Sequence, residues 1–197
     1  MLYTIGHSNH DADTFVALLH QYAITALADV RSHPVSRFVP HFSHRPLKAL
    51  LAEAGVAHVF LGRELGARSD NPDCYRNGQV QFDLLAREPA FARGIRRVEE
   101  GAREHRIALM CAEKDPADCH RALLVTRELA ARGHGVAHIH ADDSLETNRA
   151  FEDRLLRLCG LPETDMFRDR GELVAQAYSQ RAGAIAWRKP GAQPKSP

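Results

Sequence analysis

The sequence carries almost no excess charge of either sign. Its 26 lysines and arginines face 25 aspartates and glutamates, for a net charge of +1. No chain-wide positive field therefore draws it to nucleic acid or an anionic membrane, and any such contact has to be local. No apolar run approaches the roughly 20 residues that a membrane span requires. The opening MLYTIGHSNHDAD also lacks the basic-then-apolar layout of a signal peptide. A cytoplasmic protein with no membrane partner is expected. Cysteine is scarce: four thiols without a secretory signal point to reduced side chains rather than a disulfide framework. Neither a GxGxxG fingerprint nor a P-loop occurs, so no cofactor is expected and no metal is assigned. The composition leaves the oligomeric state open.

What is present is enough for a fold. Hydrophobic residues make up 44% of 197, which suits one domain with a sizeable core. Short apolar runs alternate with helical patterns, the mark of βαβ units. Strands are expected at Leu2–Ile5, Ala26–Val30, Val56–Leu61, Ile107–Cys111 and Val136–Ile139. Between them, Phe15, Leu18, Leu19 and Tyr22 recur at helical spacing, as do Leu47, Leu50, Leu51 and Ala54 ahead of a capping Gly55. Phe91, Ile95 and Val98 mark another helix. Asp115 and Pro116 open one that carries Leu123, Leu124 and Leu129. The turn-rich segment Gly62–Gly78 is expected to be a loop. From Glu146 the pattern is helical, with a further helix over Glu172–Ala186. The expectation is a single α/β domain over residues 1–189, with an open, mostly parallel, Rossmann-like sheet between helical layers and a C-terminal helical extension. Residues 190–197 are too poor in apolar groups to fold and are expected to be a disordered tail.

In an open parallel sheet, ligands bind beyond the carboxyl ends of the strands. Those ends are densely functionalised here. Strand one leads to Gly6, His7 and Ser8. Strand two holds Asp29 and leads to Arg31, Ser32, His33, Ser36, Arg37 and His41. Strand three leads to Gly62, Arg63 and Glu64, and strand four to Cys111, Glu113, Cys119, His120 and Arg121. A scaffold does not require such a set at one edge.

The same stretches carry a resemblance. TIGHS at Thr4–Ser8, DVRSHPVSR at Asp29–Arg37, LGRELGAR at Leu61–Arg68 and CAEKDPADCHR at Cys111–Arg121, with AYSQRAGAIAW near the C-terminus, resemble the bacterial domain of unknown function (DUF) 488 family. Phe38-Val39-Pro40 departs from the more polar stretch this resemblance implies. The family brings no established activity with it.

Several chemistries fit these residues. A thiol at a strand end near a helix N-terminus and Arg121 suits a nucleophile, which makes Cys111 and Cys119 candidates. Against this, intracellular cysteines are often plain buried hydrophobes. A phosphatase-like or rhodanese-like loop would place arginine six residues after the cysteine, but position 117 is alanine. Zinc could use Cys111, Cys119, His120 and one of His7, His33 or His41. However, seven residues separate the cysteines, and Cys119 and His120 are adjacent. Arg31, Arg37, Arg63 and Arg121 with Ser8, Ser32 and Ser36 could hold an anion. Asp29 would orient one of them, while His7, Glu113 or His120 would move protons. The expectation is an enzyme performing hydrolysis or group transfer on an anionic small molecule, a nucleotide or a phosphorylated metabolite. The alternative is a nucleic-acid-associated or regulatory binding module using the same arginine loop and the acid-free stretch after Leu173.

Overall fold

Alternation of inward and outward side chains along short apolar strands builds the centre of the structure, a computed structural model that describes residues 1–190. The chain runs β1 (Leu2–Gly6), α1 (Ala12–Gln21), β2 (Ala26–Asp29), α2 (His44–Glu53), β3 (Ala57–Phe60), α3 (Gly62–Leu65), β4 (Tyr75–Arg76), β5 (Gln79–Val80), α4 (Phe82–Leu85) and α5 (Pro89–Gly101). It continues through β6 (Ile107–Cys111), α6 (Arg127–Ala131), β7 (Val136–Ile139), β8 (Leu145–Thr147), α7 (Asn148–Leu158) and α8 (Arg170–Ile185).

Six strands form one sheet in the order β3-β2-β6-β1-β7-β8. All neighbours are parallel except the edge pair β7 and β8. Because strand side chains alternate between faces, Tyr3, Ile5, Leu27, Ala108 and Met110 pack against α1 and α2 through Phe15, Leu19, Leu47 and Leu51. Leu2, Ala26, Ala28, Leu109 and Cys111 face the other way, onto Ile95 of α5, Leu129 of α6, Phe151 of α7 and Leu173 of α8. The result is the expected three-layer α/β architecture. No described helix is long and apolar enough to cross a membrane.

Local chemistry starts the helices. Asp11 accepts from the Thr14 N–H at 2.7 Å to cap α1, Pro89 occupies the first turn of α5, and Asp169 and Glu172 form a reciprocal capping box on α8.

Three expectations are corrected. The segment Gly62–Gly78 is not one loop: it contains α3, a capped turn at Pro72–Cys74 and the strand β4, which pairs with β5 just beyond it. Glu146 lies in strand β8, and α7 begins only at Asn148, capped by Thr147. Asp115 does cap a helical turn, but a three-residue one, Pro116–Asp118. The chain then turns extended at Cys119 before a π-helical stretch, Arg121–Thr126, leads into α6. The expected tail begins at Pro190, and its other residues, 191–197, lie outside the described residues.

The sheet order positions the site. β1 leads into α1 on one face, whereas its neighbour β6 leads into Arg121–Ala131 on the other. The two connections part at the carboxyl edge, which is where such sheets open a crevice.

Candidate active site

A chamber of about 330 Å³ opens at this crevice, lined by His7, Arg31, Ser36, Cys111, Glu113 and His120 among others. Its floor is the β1–β6 junction, where Gly6 pairs with Cys111 in register. Pairing extends past the strand ends, because the His7 N–H donates to the Cys111 carbonyl and the Ser8 N–H to that of Ala112. Gly6 has to be glycine: a Cβ there would come within 1.9 Å of the Glu113 carbonyl oxygen.

Cys111, Glu113, Cys119 and His120 converge, each offering a ligand atom within 4.8 Å of the others. Cys111 Sγ lies 3.6 Å and Cys119 Sγ 3.9 Å from His120 Nδ1. Cys119 Sγ lies 2.9 Å from Glu113 Oε2. His120 Nε2 is 3.0 Å from the Val30 carbonyl, to which it donates, so Nδ1 presents its lone pair to the sulfurs. Cys111, Glu113 and His120 line the chamber, while Cys119 sits buried behind them.

Electrostatics separate the two thiols. Burial, the hydrogen bond with Cys119 and the nearby carboxylate push the Cys111 thiol well above its usual range. Burial acts the same way on Cys119, but the Cys111 hydrogen bond, Arg121 and His120 outweigh it, so Cys119 is the thiol held low. Burial and the Cys119 sulfur raise the Glu113 carboxyl. Burial opposes protonation of His120, yet Cys119 and Glu113 raise its pKa. The Cys119 thiol and the Glu113 carboxyl are thus shifted toward one another across the contact in which Cys119 Sγ donates to Glu113 Oε2.

Several expected roles change with the geometry. His7 is not a free base: Nδ1 is 2.9 Å from the Ser8 carbonyl, Nε2 accepts from Arg31 at 3.1 Å, and the ring stacks on Phe42. Burial and the Arg31 charge push its pKa down to about 4, so it stays neutral and holds Arg31 in place. Arg31 is itself engaged, with Nε and Nη2 on the two Asp29 oxygens at 2.9 and 2.7 Å and Nη2 also on the Phe42 carbonyl. Arg121 is fully buried and donates to the Glu113 and Lys114 carbonyls at 2.6 and 3.1 Å. It pins the Cys111–Cys119 loop rather than facing the chamber.

Ser36 lines the chamber, while its hydroxyl accepts from the Val39 N–H. Ser8 bonds Asn9 and Arg37 is exposed, both off the chamber lining. Arg63 stands in an adjoining cavity that shares Ser32, His33 and Arg68 with the chamber.

Arg68 is the residue that sequence reasoning passed over. Its backbone N–H donates to the Ser32 hydroxyl, its guanidinium stacks over Trp187 at 4.8 Å, and it lines both cavities with its head group uncommitted to any carboxylate among the described residues. Its place at the end of LGRELGAR was the available signal, but nothing in the spacing showed that the loop folds back over strand two.

A three-layer α/β protein with a thiol-bearing chamber at its switch point is the class that fold and site define. The family model described as Domain of unknown function DUF488 matches residues 11–129, more than half of the chain, and the chain belongs to this family. The matched span includes Asp29, Arg31, Arg68, Cys111, Glu113, Cys119 and His120 but not His7 or Trp187. Comparison with curated proteins and with solved structures found no match.

Proposed function

We propose that the protein is an enzyme that acts on an anionic small molecule, a nucleotide or phosphorylated metabolite, by hydrolysis or group transfer. The Cys111, Glu113, Cys119 and His120 cluster is its reactive centre. The observation that carries this is the gathering of two thiols, a carboxylate and an imidazole within 4.8 Å at the switch-point chamber, three of them in its lining and Cys119 directly behind. Packing alone gives no reason to collect four titratable groups there. The anion is held from the opposite wall by Arg68 with His33, because Arg31 and Arg121 are committed elsewhere. Glu113, on the lip of the chamber with one oxygen turned inward, handles the proton.

The test is calorimetric titration with inorganic phosphate, pyrophosphate and nucleoside mono- and diphosphates, followed by a turnover screen with those that bind. Saturable binding is expected, weakened about tenfold or more in Arg68→Ala, as for loss of a charge-assisted contact. Turnover should fall about 100-fold in Glu113→Gln. No saturable anion, or steeply salt-dependent oligonucleotide binding in its place, overturns the enzyme in favour of a nucleic-acid module.

A further inference from the structure

We propose that Cys111, Cys119 and His120 bind a zinc ion at the floor of the chamber, with Glu113 beside the open fourth position. Four-coordinate zinc with Zn–S near 2.3 Å and Zn–N near 2.0 Å spaces a sulfur and a nitrogen ligand by about 3.5 Å. The two sulfurs stand 3.6 and 3.9 Å from His120 Nδ1. Both lie within reach of that single nitrogen, the Cys111 S–H facing its lone pair and the Cys119 S–H donating to Glu113 instead. One cation satisfies all three atoms at once.

The surroundings support the same assignment. The Val30 carbonyl fixes the imidazole so that Nδ1 points inward, as metal-bound histidines are usually fixed by the far nitrogen. The Arg121 N–H donates to Cys119 Sγ at 3.4 Å, and the buried Arg121 guanidinium lies near enough to favour the thiolate. Arg121 also clamps the intervening loop through the Glu113 and Lys114 carbonyls, so the ligands are preorganised without the ion. Two thiolates and an imidazole select a soft borderline ion over magnesium or calcium.

Adjacency of Cys119 and His120 is no obstacle. Cys119 is extended (φ −134°, ψ 138°) and His120 helical (φ −62°, ψ −24°), and this change of direction turns both side chains to one side. The wide gap from Cys111 is spanned by the capped turn at Pro116–Asp118.

Glu113 stays outside the shell, since its 2.9 Å approach to Cys119 Sγ is shorter than the roughly 3.5 Å edge between two ligands of one tetrahedral ion. It occupies the place of a water-activating base. In the reaction this implies, a zinc-bound water loses a proton to Glu113 and its oxygen bonds the substrate phosphorus. The bond to the leaving group breaks, and that group takes the proton from Glu113. Hydrolysis is thereby selected over group transfer. The metal site is independent of what enters the chamber, whereas its hydrolytic use rests on the chamber being an active site.

The full chain, stripped with chelator under reductant, is titrated with zinc against a chromophoric competitor and, separately, with cobalt. One equivalent is expected, with the sulfur-to-cobalt charge-transfer and intense visible bands of a tetrahedral thiolate site. Cys119→Ser should weaken binding about 100-fold or more, while Glu113→Gln should keep both stoichiometry and spectrum. In the unaltered chain, zinc should protect Cys111 and Cys119 from alkylation and leave Cys74 and Cys159 unchanged, a readout that needs no variant to fold. Absent stoichiometric binding, absent thiolate bands, or equal protection of all four cysteines overturns the site. Zinc binding without anion binding overturns the proposed enzyme alone, and anion turnover by a chain that binds no zinc overturns the metal site alone.

Discussion

Asp29 and Arg31 are two residues apart, both buried, and joined through two parallel N–H to carboxylate bonds. Burial pushes the Asp29 carboxyl up, but Arg31 and His58 outweigh it and hold it below the ordinary carboxylate range. With Arg31 also bonded to His7 and Phe42, this pair fixes the β2 loop against the β1 loop across the chamber floor. Neutralising one partner leaves a buried guanidinium without its counter-charge, which typically costs about 3–5 kcal/mol. Asp29→Asn keeps the shape and removes the charge. Its unfolding free energy by urea titration should fall by about that amount. A loss under about 1 kcal/mol would mean that Arg31 can turn to solvent and serve the anion after all.

Among the elements, legibility followed length. The five parallel strands could be read because each is an almost continuous apolar run, as buried parallel strands are, and edge strand β3 keeps such a run although it is only partly covered. α1, α2 and α5 repeat their apolar residues at helical spacing over ten or more residues. β4 and β5 hold two residues each, too few for any period, yet the Asn77-Gly78 pair between them, both with positive φ, was a readable hairpin turn. β8 is set by pairing with β7 rather than by its own sequence. The strand-end residues of the site were legible by topology, but their partners were not: whether an arginine faces a ligand or a neighbouring carboxylate depends on contacts that periodicity does not encode. α8 brings the chain to the chamber wall at Ile185 and Trp187 and is started by the Asp169–Glu172 box, with bonds of 2.8 and 3.2 Å. Asp169→Ala should lower stability by about 1 kcal/mol. Phosphate affinity should be unchanged, because the packing of Leu173, Ala177 and Tyr178 holds the helix in place. A drop in phosphate affinity of more than about threefold would show that the cap also sets the chamber wall.

For the molecule as a whole, acid stability is tied to a histidine outside the chamber lining. His138 lies in the centre of β7, fully buried, with Nδ1 2.8 Å from the Thr4 hydroxyl on β1 and its ring against Phe151 of α7. Burial, and then the Arg121 charge, push its pKa from 6.5 down to about 3. The folded state therefore keeps this ring neutral, while the unfolded chain protonates it below about pH 6.5. Its contribution is fully present above 6.5 and is lost as pH falls toward 3, because the unfolded state binds one more proton throughout that window. The slope for one proton is about 1.4 kcal/mol per pH unit. Urea unfolding at steps from pH 7 to pH 4.5 should show the unaltered chain losing stability faster than His138→Gln, which can still accept from Thr4 but cannot titrate. The difference between the two slopes should approach that one-proton value. Parallel profiles would show that the β1–β7 junction opens to admit the proton before the sheet unfolds.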